Sequence, residues 1–142
     1  MTERSGCPFC AAAAGMASTP VVYQSAAALA LFPLRPATRG HTLVMPRDHV
    51  PDLWALDPAA APPLVEAVLR VAHAIRRGLA PEGLNVITSA GAAATQTVPH
   101  LHVHLVPRWR GDGFGGIWPD PGPSFTDEET SETAEAIRGG LA

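Results

Sequence analysis

Hydrophobic and polar residues alternate along the stretch His100–Val106, and this alternation predicts a β-strand. Three histidines occupy every second position, and Leu101, Val103 and Leu105 lie between or after them. Residues two apart along a strand point to the same face, so we expect imidazoles at intervals of about 6.5–7 Å on one face. The opposite face then packs into a core.

Four other segments are short, apolar and partly β-branched, as is typical of strands: 21–23, 26–32, 41–45 and 84–88. Between the last two segments, Leu64, Val68, Val71 and Ile75 recur at helical spacing. Prolines are tolerated only in a first helical turn, so we expect this helix to start at Pro62 or Pro63 and to end at Gly78.

A capping box at Thr126–Glu129 predicts a last helix that runs to about Arg138, with Gly139 after it. The chain therefore runs through strands, one long helix, strands and a terminal helix, without β-α-β alternation. This order favours an α+β fold with an antiparallel sheet.

Composition excludes several classes of protein. The 142 residues fit a single domain, 1–142, that buries about 70% of its unfolded surface. A formal net charge of −3 gives no reason to expect nucleic acid or an anionic membrane as partner. The chain has no apolar run of the ~20 residues that span a bilayer, and its first residues lack a signal pattern, so we expect a cytoplasmic protein.

A row of imidazoles can bind a metal ion, carry out nucleophilic or acid–base chemistry, or belong to an ordinary surface strand. Three histidines in register beside arginines disfavour the last reading. Cys7 and Cys10 form a Cys-x-x-Cys pair, which is either a redox dithiol or half of a zinc site. Because the pair precedes any predicted strand, half of a zinc site is favoured, and two unrelated thiols remain an alternative.

The loop 89–97 consists of small residues, which lets backbone N–H groups approach an anion. It leads into the histidine strand. The segment 108–116 after that strand is basic, aromatic and rich in glycine.

Together these motifs resemble the histidine triad (HIT) family, in which hydrophobic residues separate three histidines. Six further segments match in family order: Cys7–Cys10, 40–46, His49, 83–86, 96–98 and 107–108. The resemblance spans about Ser5 to Asp112, which gives a core of about 5–112 and a C-terminal extension of 113–142.

The resemblance implies an α+β HIT-like fold with a five-stranded antiparallel sheet per subunit, one long helix and a C-terminal helix, usually as a homodimer. It implies a nucleotide substrate, with adenine or guanine as base, and a covalent nucleotidyl-histidine intermediate on His102. His104, Thr97 and His41 would assist catalysis. The nucleotide and its phosphate would bind Gln96, Thr97, Val98 and Ser89 together with His102 and His104.

The resemblance to zinc-bearing bacterial members also implies a metal site. Cys7, Cys10, His49 and His100 would complete a Cys2His2 tetrahedron, and since four protein ligands close the coordination shell, the zinc would be structural. No organic cofactor is expected.

Three positions depart from the family pattern. Pro33 stands where an Asp or Asn usually holds the ribose hydroxyls, Ser89 replaces an Asn or Gln, and Thr95 replaces a glycine. A β-branched residue narrows backbone freedom at a phosphate-binding turn. These departures leave phosphate chemistry intact and put nucleoside specificity in question.

The leading hypothesis is a hydrolase or nucleotidyl transferase that acts at the α-phosphate of dinucleoside polyphosphates or nucleoside phosphoramidates. The segment 107–112 resembles the branch of the family that acts on dinucleoside polyphosphates, which makes Arg108 and Arg110 candidates to meet a polyphosphate chain. The alternative for these arginines is an exposed pair of charges. Three alternatives stay open. They are a phosphorylase of dinucleoside polyphosphates, a non-catalytic nucleotide-binding or regulatory protein, and a metal-dependent hydrolase that uses the histidine row as an open site.

Overall fold

The computed structural model describes residues 3–141. The helices are α1 (Pro8–Ala11), continued by a π-helical turn at Ala12–Met16, α2 (Ala61–Leu79) and α3 (Asp127–Gly140). The strands are β1 (Val21–Gln24), β2 (Ala28–Leu31), β3 (Thr42–Pro46), β4 (Gly83–Ile87) and β5 (Val103–Arg108). Three short 3-10 turns lie at Leu53–Ala55, Pro58–Ala60 and Ala92–Ala94.

The five strands form one antiparallel sheet in the order β1-β2-β3-β5-β4. The predicted α+β architecture with a five-stranded antiparallel sheet is therefore confirmed. Strand β5, which contains His104, lies inside the sheet between β3 and β4, where both its edges are paired.

Each face of the sheet buries its own hydrophobic cluster, because successive side chains of a strand alternate between faces. On one face, α2 packs its buried stripe of Leu64, Ala67, Val71 and Ile75 against Val44 and Leu105. On the other face, the N-terminal segment packs against Leu29, Leu31, Leu43 and Met45. The candidate active site lies on this second face.

The histidine strand differs from its prediction in one respect. Strand β5 begins at Val103, so only His104 lies within it, whereas His100 and His102 precede it. The reason is that the backbone before Val103 has a hydrogen-bond partner outside the sheet. Leu101 N donates to Val50 O at 2.6 Å, so this residue bonds to the connection after β3 rather than to a strand. The predicted apolar face does pack inward, with Leu101 and Leu105 buried.

The ends of α2 also differ from the prediction. The prolines occupy the first turn as expected, but the helix continues past Gly78 to Leu79. Ala80 takes the left-handed conformation that ends it, with φ of 49°, and its N–H donates to Arg76 O.

Helix α3 has the predicted capping box, in which Thr126 and Glu129 exchange side-chain-to-backbone hydrogen bonds. It includes Gly139 and Gly140 and has no buried residue. Within residues 3–141, no helix is long and apolar enough to cross a membrane.

Candidate active site

A cavity of about 570 Å³ opens on the second face of the sheet, beside two of the three triad histidines. His102 and His104 line one part of it together with Thr97 and Val98. Apolar side chains from the N-terminal segment and from the end of β2 line the rest, among them Phe9, Leu31, Phe32 and Leu43.

The ring of His102 is oriented by a backbone carbonyl group. Its Nδ1 lies 2.7 Å from His100 O, and since a carbonyl oxygen only accepts, Nδ1 carries the proton and donates it. The second ring nitrogen, Nε2, therefore holds a lone pair. Burial lowers the pKa of His102, so the imidazole is neutral at pH 7 and its Nε2 is a competent nucleophile.

A chain of hydrogen bonds fixes His104 in the same way. Ala37 N donates to His41 Nδ1 at 3.0 Å, which places the proton of the neutral His41 ring on Nε2. That nitrogen lies 2.9 Å from His104 Nδ1 and donates to it. His104 then carries its own proton on Nε2, where it can be donated to a ligand.

Burial is also the main cause of the low pKa values of this histidine pair. It lowers the pKa of His41 and, together with charge repulsion from His102 and His41, lowers that of His104 to about 4. Both rings are neutral at pH 7, so the site presents one lone pair on His102 and one N–H donor on His104.

The loop before the triad is braced by the side chain of Gln96. Its Oε1 accepts from Gly91 N at 2.9 Å, and its Nε2 donates to Pro51 O at 2.7 Å and to Val98 O at 3.0 Å. Thr95, at a position expected to favour glycine, adopts φ of 67°. Of the predicted phosphate-binding residues in this region, Thr97 and Val98 line the cavity, while Gln96 and Ser89 do not.

The four predicted metal ligands come together from three parts of the chain. One ligand atom each from Cys7, Cys10, His49 and His100 lies within 4.8 Å of the others, so the group can hold a metal ion. The Sγ–Nδ1 separations are 3.4 Å for Cys7–His100, 3.4 Å for Cys10–His49 and 3.6 Å for Cys10–His100. A tetrahedral zinc ion requires about 3.5 Å between sulfur and nitrogen ligands.

The surroundings of these ligands also fit a metal ion. His100 Nε2 donates to Pro46 O at 2.8 Å, which leaves the lone pair on Nδ1, the atom that faces both thiols. Cys10 N donates to Cys7 Sγ and Arg4 N to Cys10 Sγ, each at 3.4 Å, and such N–H groups stabilise thiolate ligands. Burial raises the pKa of the Cys10 thiol, so metal binding has to displace its proton.

Arg108 and Arg110, the candidates for a polyphosphate chain, do not line the cavity. Arg108 pairs with Asp112 at 2.7 Å, donates to Asn85 Oδ1 at 2.7 Å and lies 4.3 Å above the Phe114 ring. Arg110 lies near Glu82 at 3.6 Å. In the described chain, both arginines belong to a separate surface at the junction of β4 and β5.

Sequence reasoning missed several residues that line the cavity, among them Phe9 and Arg35. The Phe9 ring lies edge-on to His102 with centroids 5.0 Å apart, and Arg35 lines the wall beside Pro33. The position of Phe9 between two cysteines was a usable signal, because a metal site fixes the residues between its ligands. Nothing in the local sequence around Arg35 predicted that the β2–β3 connection borders the cavity.

The antiparallel sheet thus carries two histidines at a cavity and, beside them, a group of two cysteines and two histidines that could hold a metal ion. A model of the HIT domain matches residues 15–111. "Protein hit" of Bacillus subtilis is 34% identical over 137 residues, covering 96% of this chain and 94% of the relative. The chain therefore belongs to the HIT domain family.

Solved structures agree with this assignment. The crystal structure of a HIT family member from Bacillus subtilis has a TM-score of 0.87 at 34% identity, covering 97% of this chain and 99% of the other. A Zn-bound histidine triad family protein from Mycobacterium smegmatis has a TM-score of 0.72 at 34% identity, covering 96% and 98%.

Proposed function

We propose that the protein is a nucleotide hydrolase or nucleotidyl transferase that acts at the α-phosphate through a nucleotidyl-histidine intermediate on His102. The observation that carries this proposal is the orientation of His102, whose Nδ1–H donates to His100 O and whose Nε2 is left as a lone pair beside the cavity. Substrates of the proposed reaction are dinucleoside polyphosphates or nucleoside phosphoramidates with adenine or guanine as base.

In the first step, His102 Nε2 attacks the α-phosphorus and the bond to the leaving group breaks. Negative charge on the phosphoryl oxygens is stabilised by His104 Nε2–H, by Thr97 and by the backbone beside Val98. The hydrogen bond from His41 Nε2 to His104 Nδ1 keeps the proton of His104 on Nε2, where it can be donated. The nucleotidyl-imidazolium is stabilised through Nδ1–H and the His100 carbonyl oxygen. Water then attacks phosphorus and loses a proton to solvent, the bond between phosphorus and His102 Nε2 breaks, and the nucleoside monophosphate and the neutral imidazole are released.

The test is to incubate the protein with labelled adenosine 5′-phosphoramidate or diadenosine tetraphosphate, quench it and search for AMP on His102 by mass spectrometry. We expect labelling in the wild type and a fall in turnover of about 10³-fold or more in His102→Ala. His73→Ala is the matched control, because His73 is exposed on α2 and does not line the cavity. Full turnover in His102→Ala would refute the proposed nucleophile.

The same assay separates the alternatives. Incorporation of added inorganic phosphate into the product would indicate a phosphorylase. Binding without turnover of either substrate would indicate a nucleotide-binding or regulatory protein, an outcome that Pro33 and Ser89 favour. Turnover that is lost with a chelator while the fold survives would indicate a metal-dependent hydrolase.

We also propose that Cys7, Cys10, His49 and His100 hold a structural zinc ion, which when bound ties the N-terminal segment to the sheet. The Sγ–Nδ1 separations of 3.4–3.6 Å support this assignment, as does the neighbour described as Zn-bound. We expect about one equivalent of zinc in protein equilibrated with the metal, and loss of both zinc and thermal stability in Cys10→Ser. Unchanged zinc content in this variant would contradict the ligand set.

We also propose that the protein is a cytoplasmic homodimer. Strand β4 is an outer strand of the sheet and exposes Val86 by 54%, an arrangement that favours pairing with a second copy. Light scattering on the purified chain tests the dimer, and a monomer at micromolar concentration would contradict it.

A further inference from the structure

The charges around the cavity are unevenly distributed. The two histidines are neutral at pH 7, so Arg35 is the only charged side chain among the described residues that line the cavity, and no acidic side chain does so. Pro33, on the same wall, offers no side-chain acceptor to a sugar hydroxyl group. A guanidinium group is positively charged and has only donors, so a phosphate group is a stronger partner for it than a sugar hydroxyl group.

The backbone that carries Arg35 is held at both ends. Before it, Thr19 Oγ1 donates to Phe32 O at 2.6 Å and Phe32 N donates to Pro20 O at 3.2 Å. After it, Ala37 N donates to His41 Nδ1. Pro33 and Pro36 fix their own φ angles, and a residue that precedes proline, as Arg35 does, is restricted to extended conformations. The backbone that carries Arg35 is therefore restrained where it forms this wall of the cavity.

The sheet sets the distance between this wall and the histidines. Leu31, at the end of β2, pairs with Leu43, and Leu43 pairs with His104. Two strand spacings, roughly 9–10 Å, thus separate the start of the wall from His104. Within residues 3–141 the exposed Arg35 guanidinium has neither a hydrogen bond nor an ion pair, so its donors are available to a ligand.

We propose that Arg35 is a specificity-determining residue that selects nucleotides whose sugar carries a second phosphate. The inference rests on the proposed function, in which the 5′ phosphoryl group lies at His102 and His104. The sugar then extends towards the β2–β3 connection, where the guanidinium binds a 2′- or 3′-phosphate through paired N–H donors. The reaction at His102 is the same as for an unsubstituted nucleotide.

The experiment measures binding of AMP, adenosine 2′,5′-bisphosphate and adenosine 3′,5′-bisphosphate to the full chain by titration calorimetry. We expect one bisphosphate to bind at least about tenfold more tightly than AMP, since paired hydrogen bonds between a guanidinium and a phosphate have this order of effect. Arg35→Ala should bring its affinity to within about twofold of that of AMP, and Arg35→Lys should retain part of the preference.

Arg39→Ala is the matched control, because Arg39 is an exposed arginine on the same connection that does not line the cavity. It removes the same charge and should leave the preference unchanged. The inference is overturned if neither bisphosphate binds more tightly than AMP, if none of the three binds, or if Arg39→Ala and Arg35→Ala weaken binding equally. The last result would indicate only a general effect of charge.

Failure of this inference is distinct from failure of the proposed function. A trapped nucleotidyl-His102 without any preference for bisphosphates would retain the reaction and reject the role of Arg35. A preference lost in Arg35→Ala but without any trapped intermediate would retain the binding specificity and reject the nucleophile.

Discussion

Replacing Gly40 with alanine is expected to destabilise the protein more than any other Gly→Ala change considered below. Gly40 has φ of 81°, in the left-handed region that favours glycine. A Cβ atom at this position would also overlap Leu79 Cδ1, near the end of α2. The residue directly precedes His41, which is hydrogen-bonded to His104.

The magnitude follows from two contributions. Left-handed conformation costs a non-glycine residue about 1–2 kcal/mol. Forcing Leu79 away from its preferred rotamer costs about 0.5–1.5 kcal/mol more. The sum is about 1.5–3.5 kcal/mol, which corresponds to a fall in Tm of about 6–14 °C for a chain of this size.

The assay is urea unfolding at fixed zinc concentration, with two control variants. Gly111→Ala isolates the backbone strain, because Gly111 has φ of 75° and a Cβ there would meet nothing within 4 Å. Gly78→Ala causes neither backbone strain nor overlap, because Gly78 lies within α2 and a Cβ there would meet no atom within 4 Å. We expect this change to raise the free energy of unfolding by up to about 1 kcal/mol.

A double-mutant cycle with Leu79→Ala isolates the overlap. In that background, Gly40→Ala should cost only as much as Gly111→Ala does. The reasoning is refuted if Gly40→Ala and Gly111→Ala are equally destabilising in the wild-type background, because the contact with Leu79 would then contribute nothing.

Two further predictions concern titration and helix capping. The pKa of His104 is about 4 in the folded chain and about 6.5 when unfolded, so the unfolded chain takes up the proton first as the pH falls. Stability should therefore decrease from pH 6.5 towards pH 4, less steeply in His104→Gln, and an NMR titration of His104 near pH 6.5 would contradict this. Thr126→Ala removes the capping box of α3, whose residues are not buried, at a cost of about 1 kcal/mol. Amide exchange in α3 should accelerate about fivefold without a change in the urea midpoint, whereas a lower midpoint would mean that α3 contributes to the cooperative core.

The chemistry-bearing residues could be predicted from sequence because they occur as short, regular patterns. The spacing of Cys7 and Cys10 and the alternation around His102 each indicate a type of chemistry before any fold is known. The position of His49 in the metal cluster came only from family resemblance, because it lies in a connection without local pattern. Helix α2 was predicted from its apolar repeat and its two initial prolines.

What could not be predicted depends on contacts between distant segments. Leu101 bonds to the connection after β3, and this partner decides where β5 begins. The cavity wall at Arg35 arises because β2 lies two strands from β5, which is a property of strand order rather than of local sequence. The ion pair of Arg108 with Asp112 likewise depends on a turn that returns the chain to the end of β5.

Three imidazoles of the site are oriented by backbone groups. His102 donates to the carbonyl oxygen of His100, His100 donates to that of Pro46, and His41 accepts from the N–H of Ala37. These partners do not titrate, so the ring orientations are independent of pH until a histidine itself takes up a proton. Nor can a side-chain substitution delete them. The backbone therefore sets the tautomers of His100 and His102, whereas the tautomer of His104 also depends on the side chain of His41.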